Sequence, residues 1–392
     1  MASVTDATPQ ERARALIPLI REHAPEAQQA RRLSNVVVDG LHDAGLFRMC
    51  LPREFGGEEV DPWTTLETIE AISYGDGSTG WNFMIGSETS GLAAGSMQEA
   101  QAHEIFGGTP PPRVIFCGAQ GPPGAAVKVD GGWTVNGQWG FVSGCHQCSW
   151  FFGTALVMED GKPVMVTETM PMIRMFLMPM SDLEILDTWD VAGMRGSGSH
   201  DVAARDVFVS DERAESMLGA PTWHSSPIFS FPMAAKLAYN KVAVALGVAR
   251  AALDVFAELA GTKKAFGTMT PIKELANTQI QASEAEARLA SARAYVRVAL
   301  DDVWQIVQSG QAPSNEQLAP LRLACSYGCQ ASIDAVDRVA RLANTTANRM
   351  DNPLELLIRD VRAVPGHFTL STALYEPIGK VLLGMEQPPG TL

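Results

Sequence analysis

Several short stretches of this chain gather side chains that could do chemistry. Cys145-His146-Gln147-Cys148 sets two thiols around an imidazole, the spacing of a metal or redox site. The run from Gly193 to Ser199 places Arg195 among glycines and hydroxyls, as either a phosphate-cradling loop or a tight β-turn would. His367 follows Pro365-Gly366; its imidazole titrates near working pH and could move a proton, or it could be a helix-start surface residue. Ser143-Gly144 offers a hydroxyl that is either reactive or part of a strand-end turn, and Trp81 and Phe141 are flat apolar walls or plain core.

The bulk properties prune these options. A closed zinc site needs four ligands, and no second CxxC or histidine pair follows at suitable spacing; Cys325 and Cys329, one helical turn apart, read as small core residues. We therefore expect reduced, packed thiols and no metal. Gly193-Met194-Arg195-Gly196-Ser197-Gly198 has the wrong glycine spacing for a dinucleotide fingerprint and opens no βαβ helix, so no built-in nicotinamide site is expected. Lys+Arg 30 against Asp+Glu 44 gives a formal charge of -14, which repels nucleic acid and anionic membranes. The greasiest stretch, Met233 to Ala251, is broken by Lys236, Asn240, Lys241 and Arg250, and the first residues hold no apolar leader core. A cytoplasmic protein is the expectation.

The elements that must position these residues fall into three zones. Up to about Gln101 the periodicity is helical, with stripes at Ala15, Leu16, Leu19, Ile20 and at Val37, Val38, Leu41, and helix starts at Asp61-Pro62 and Asp76 to Thr79. Alternation then predicts strands at Ala125-Val129, Trp133-Val135, Trp139-Phe141, Val164-Val166, Leu183-Ile185 and Val207-Val209. Asp130-Gly131-Gly132 and Asn136-Gly137 read as hairpin turns between them. From about Pro221 long amphipathic runs return, notably Ile280 to Val307 and Leu318 to Leu342, arguing a helical bundle. The boundaries are read as 1–113, 114–214 and 215–392.

Helical, β, helical is an uncommon order, and five segments in that order resemble one family, the acyl-CoA dehydrogenases. They are Leu51-Pro52-Arg53-Glu54-Phe55-Gly56-Gly57, Gly75 to Trp81, Trp139 to Gly144 with Trp150 beyond, Asp187 to Ser199, and Arg359-Asp360 with His367. The second and fourth have the form seen in the family's two-component flavin-dependent monooxygenase branch, the group D hydroxylases. The resemblance implies an α+β, mainly α fold: an N-terminal helical domain, a central β-barrel and a C-terminal four-helix bundle, assembled as a homotetramer or homodimer.

It also implies a site. Flavin, as FADH2 or FMNH2, would lie against Phe141, Ser143, Gly144, Trp150, Arg195, Ser197 and Ser199, and Trp81 and Phe368 would face substrate. Ser143 would steady a peroxyflavin formed with O2, and His367 would donate or accept a proton. The substrate would be a small aromatic of phenol, indole or polycyclic type, with reduced flavin supplied by a separate NAD(P)H:flavin reductase. The rivals are an acyl-CoA dehydrogenase with a relocated base, an N- or S-oxygenase and a non-catalytic flavin binder. In many of the dehydrogenases a catalytic Glu lies eight residues after the Arg-Asp pair, where this chain has Phe368. Phenol hydroxylases often carry a histidine soon after the Trp81 equivalent. Asn82 to Thr89 contains none, so Glu88 or Ser87 would have to substitute.

Overall fold

Capping chemistry starts the helices of the first region where the sequence expects them. In a computed structural model that describes residues 7–215, 223–388 and 391–392, α1 (Pro9–Ala30) opens on a Thr8–Glu11 capping box and is followed by α2 (Asn35–Asp43). Asp61 Oδ1 accepts the Trp63 and Thr64 N–H groups to begin α3 (Pro62–Gly75), with Pro62 in the first turn. The Asp76 carboxylate accepts the Thr79 N–H at 2.7 Å to begin α4 (Gly77–Ser96), and α5 (Glu99–Phe106) closes the region.

Eight strands follow: β1 (Phe116–Val129), β2 (Gly132–Trp139), β3 (Trp150–Glu159), β4 (Lys162–Pro163), β5 (Ile173–Pro179), β6 (Glu184–Leu186), β7 (Asp201–Ser210) and β8 (Ala214–Glu215). They pair in the order β6-β7-β2-β1-β3-β5-β8 with β4 on β3, antiparallel except for β1 with β3. Trp133, Trp139, Phe151, Phe176 and Val202 share one core, so the sheet curls on itself. It does not close into the expected barrel among the described residues. The end strands β6 and β8, three and two residues long, offer too little backbone for a ladder and do not pair with each other.

Two strand expectations are corrected. Asn136-Gly137 is not a hairpin turn but a register shift inside β2, opposite a second shift in β1. Gly137 is required there because a Cβ would come within 2.8 Å of the Gly124 backbone and 2.9 Å of the Trp139 ring. Val164-Val166 is not a strand; pairing shrinks to the two-residue β4 and an isolated Met165–Pro171 bridge. Asp130-Gly131 does make the β1–β2 turn, with Gly131 at φ +70°.

The last region contains three long helices, α6 (Met233–Thr262), α7 (Ala276–Gln308) and α8 (Asn315–Ala343), with α9 (Pro353–Ala363) packed on α6 and α8 and α10 (Tyr375–Leu382) on α8. Beside the three long helices, α9 is a helix of eleven residues. No described helix is long and apolar enough to cross a membrane. α4 lies against both β1 and α6. The loop after β6 is pinned to α9, where Asp360 Oδ1 accepts the Met194 N–H at 2.7 Å.

Candidate active site

Between α4, the curled sheet, α6 and the turn after α9 lies a cavity of about 500 Å³. That is the size of a small-molecule site, which commonly spans roughly 300–1,000 Å³. Trp81, Phe141, Ser143, Ser197, Ser199, His367 and Phe368 all line it, so seven of the residues expected at the site converge from opposite ends of the chain. Phe141 is 78% and Phe368 61% exposed, placing both rings at the mouth. Phe141 holds a left-handed backbone at φ +60°, a strain that aims its ring outward, edge-on to Trp189 at 6.1 Å.

The centre of one wall is a chain of hydroxyls. Trp81 Nε1 donates to Ser143 Oγ at 2.9 Å, Ser143 Oγ lies 2.7 Å from Ser199 Oγ, and Ser199 Oγ lies 2.8 Å from Ser197 Oγ. An indole N–H can only donate and a hydroxyl has one proton and two lone pairs. If Ser197 donates to Ser199 and Ser199 to Ser143, both lone pairs of Ser143 are filled and its own proton is free to point into the cavity. Trp81 is thus more than a wall: its N–H fills one lone pair of Ser143 and leaves that hydroxyl's proton for Ser199 or the cavity.

His367 faces this chain, its ring 6.0 Å from the Trp81 ring and 4.7 Å from Phe368. Nδ1 accepts the Thr369 N–H at 3.3 Å and lies 2.8 Å from Thr369 Oγ1, which leaves the imidazole proton on Nε2. The expectation that this imidazole titrates near working pH is corrected. Burial, helped by the charges of Lys241 and Arg322, pushes it down to about 2, so it stays neutral.

Gly144, Trp150 and Arg195 do not line the cavity. Gly144, at φ +74°, donates its N–H to the Ser197 carbonyl and so holds the backbone that presents Ser143. Trp150 stacks on Phe116 at 6.0 Å beneath the Arg213 guanidinium. The Arg195 guanidinium is spent on Asp190, the Val191 carbonyl and the Gln28 carbonyl of α1, tying the loop down rather than reaching for a ligand. Arg359 likewise binds Glu355 and the Ala192 carbonyl. Cys145 is buried with its thiol pushed up to about 12, and its S–H reaches the Gly198 carbonyl at 3.4 Å; it packs as a small apolar group. His200 Nδ1 accepts the Thr188 and Trp189 N–H groups, which shapes the same loop.

The sequence reading missed Trp189, Gly118 to Gly121 of β1, and Met233, Leu237 and Lys241 of α6 as lining. It weighed Glu88 only as a spare base. Glu88 is buried, with Oε1 2.7 Å from Lys241 Nζ and Oε2 2.8 Å from Asn240 Nδ2, so both oxygens are committed and it is no free base. The available signal was a lysine in the middle of an alanine- and valine-rich helix, where burial demands a partner.

The lining suits an isoalloxazine: flat aromatic faces at Trp189 and Phe141, open space beside Gly121 of β1, and a hydroxyl edge with one donor to spare. Residues 10–104 match the acyl-CoA dehydrogenase N-terminal domain and residues 239–372 the acyl-CoA dehydrogenase C-terminal domain. The fold and cavity define a flavoenzyme of the acyl-CoA dehydrogenase fold. Indole-3-acetate monooxygenase of Acinetobacter baumannii is 32% identical, aligned over 96% of this chain and 95% of its own. The flavin-dependent monooxygenase oxygenase subunit HsaA of Rhodococcus jostii is 30% identical over 89% and 91%. The crystal structure of a Rhodococcus 3-HSA hydroxylase superposes with a TM-score of 0.87 at 28% identity, covering all of both chains. The chain belongs to the flavin-dependent monooxygenases of this fold, which act as oxygenase components with reduced flavin and O2.

Proposed function

We propose that this oxygenase hydroxylates a small aromatic compound, with Ser143 and His367 as the residues that serve the reacting oxygen. The observation that carries the assignment is the Trp81–Ser143–Ser199 hydrogen-bond chain lining a cavity, with a neutral, Nε2-protonated imidazole packed edge-on against its Trp81 ring. Bound reduced flavin supplies the electrons that activate O2. The chain supplies the rest. With Ser199 donating to it, Ser143 has its lone pairs filled by Trp81 and Ser199 and offers its own proton to an oxygen atom beside the flavin. His367 Nε2–H is a second donor at the substrate side, held in one tautomer by Thr369. Trp81, Phe141, Trp189 and Phe368 give the flat faces between which an aromatic ring sheds water.

Flavin contact is assigned to Phe141, Ser143, Ser197 and Ser199, and substrate contact to Trp81 and Phe368, with Gly144 and Arg195 acting by holding the loops that present them. The relatives' names, indole-3-acetate monooxygenase and an oxygenase subunit, support an indole- or phenol-type substrate and a separate flavin reductase. A homo-oligomer in the cytoplasm and the three-part division at 113 and 214 complete the reading.

The test supplies reduced flavin and ¹⁸O2 to the protein with indole, indole-3-acetate and phenols. One ¹⁸O atom in a ring-hydroxylated product is expected; bleaching of oxidised flavin by an acyl-CoA without oxygen incorporation would overturn the reading. Ser143→Ala should raise the peroxide released per product by the roughly 5- to 150-fold that about 1–3 kcal/mol of hydrogen bonding represents. Trp81→Phe should raise it less.

A further inference from the structure

The buried charges around the cavity do not balance. Glu88 is the one carboxylate in the lining, and it is already committed to Lys241 and Asn240. Lys236, on the same helix as Lys241, is 2% exposed; burial lowers its pKa and the nearby Cys50 and Glu88 only partly offset this, and among the described residues its ammonium reaches only the Ile228 carbonyl, at 3.5 Å. Arg322 of α8 is also buried and donates to the Ala234 carbonyl at 2.5 Å. Among the described residues none of these three cations has a carboxylate within ion-pair reach other than Glu88 on Lys241. Three buried cations therefore stand against one buried anion, which pairs with Lys241 alone. The excess reaches the ligand space, because the charges of Lys241 and Arg322 bear on the His367 ring that lines it.

Uncompensated buried charge is expensive, and it is relieved by losing a proton or by gaining a counter-ion. Lys241 is built for the second. Its ammonium has three donors. One meets Glu88 Oε1, one points at Met84 Sδ at 3.7 Å, and the third has no acceptor within hydrogen-bonding distance among the described residues, although the residue, 1% exposed, lines the cavity.

We infer that the cavity takes an aromatic substrate bearing a carboxylate, which seats against the Lys241 ammonium while Lys236 and Arg322 supply the surrounding positive field. This rests on the aromatic-hydroxylase reading and narrows its substrate class to aromatic acids. Glu88 is then a positioning residue, holding Lys241 at the cavity wall.

The test is anaerobic calorimetric titration of the full-length, flavin-loaded protein with benzoate, phenylacetate and indole-3-acetate, each beside its primary amide of the same shape. For at least one scaffold the acid should bind about 10- to 100-fold more tightly than the amide, the value of one hydrogen bond to a charged group. Glu88→Gln should widen that ratio, since it deepens the positive excess, and Lys236→Met should narrow it. Because the two variants move the ratio in opposite directions, either one that folds decides the matter. Acids and amides binding alike, as expected if reduced flavin itself supplies the negative charge, overturns the inference, as does a ratio that neither variant moves. An acid preference without ¹⁸O incorporation would uphold the charge argument and sink the hydroxylase reading, so the two failures are distinguishable.

Discussion

Asp360 provides a prediction whose size follows from the structure. Its carboxyl is fully buried beside the buried Asp76, and burial together with the Asp76 charge pushes it up to about 8. Oδ1 accepts the Met194 N–H, while Oδ2 and Asp76 Oδ1 are buried without a hydrogen-bond partner among the described residues, which two carboxyls sharing a proton would explain. Folded Asp360 therefore keeps a proton that the unfolded chain releases near pH 4. Between those values the unfolded state binds fewer protons, so stability falls as pH rises, by about 1.4 kcal/mol per pH unit at most. Between pH 5 and 7 the loss should be about 2–3 kcal/mol, complete above pH 8 and absent below pH 4. Asp360→Asn keeps an oxygen for the Met194 N–H and puts an N–H₂ where the shared proton lies, so its stability should lack this slope. Urea melts of both proteins at half-unit steps from pH 5 to 8 give the difference directly. A difference that is flat with pH, or that grows in favour of the wild type as pH rises, would refute the shared-proton argument.

Three further outcomes are expected. His367→Gln should lower turnover without removing any ionisation from the pH–rate profile between 6 and 9, since the imidazole stays neutral across that range; loss of a limb near pH 6.5 in the variant would contradict the burial argument. Phe141→Gly should relieve the left-handed backbone and stabilise the fold by up to about 1 kcal/mol, while peroxide leakage rises because the mouth opens; thermal melts and peroxide yields check the two halves separately. Gly193→Ala would drive a Cβ to 2.3 Å from the Arg359 carbonyl, and should cost about 1–3 kcal/mol and disturb Met194 in the cavity wall, visible as a lower denaturation midpoint with weaker ligand binding.

What could be read from the residues beforehand was local chemistry and order. Asp61-Pro62 and Asp76 announce helix starts because their capping partners lie within three residues, and Gly131 announces a turn for the same reason. The order of family-like segments pointed to Ser143 and His367, and the fold does bring both to one cavity. Long-range partners were invisible. Arg195 looked like a ligand-cradling residue until α1 supplied the Gln28 carbonyl, and His367 looked titratable until the fold buried it, with Lys241 of α6 and Arg322 of α8 adding their charges. Asn136-Gly137 has hairpin composition, yet Gly124 and Trp139 make it a bulge. Lys236 and Lys241 served only to exclude a membrane span, because a sequence shows that a charge interrupts an apolar run but not what compensates it.

The cavity brings into ring contact Trp81 of α4 and His367, which follows α9, two residues far apart in the sequence. Such a pocket cannot exist on a growing polypeptide. Until α9 and the turn after it have emerged and docked, nothing brings His367 to Trp81, so flavin cannot template early steps of biogenesis and can only lock a conformation already reached. Closing contacts so distant in sequence also makes this the slow part of maturation. A truncation removing the last two helices should leave the amino-terminal helices and sheet to face chaperones without help from the cofactor.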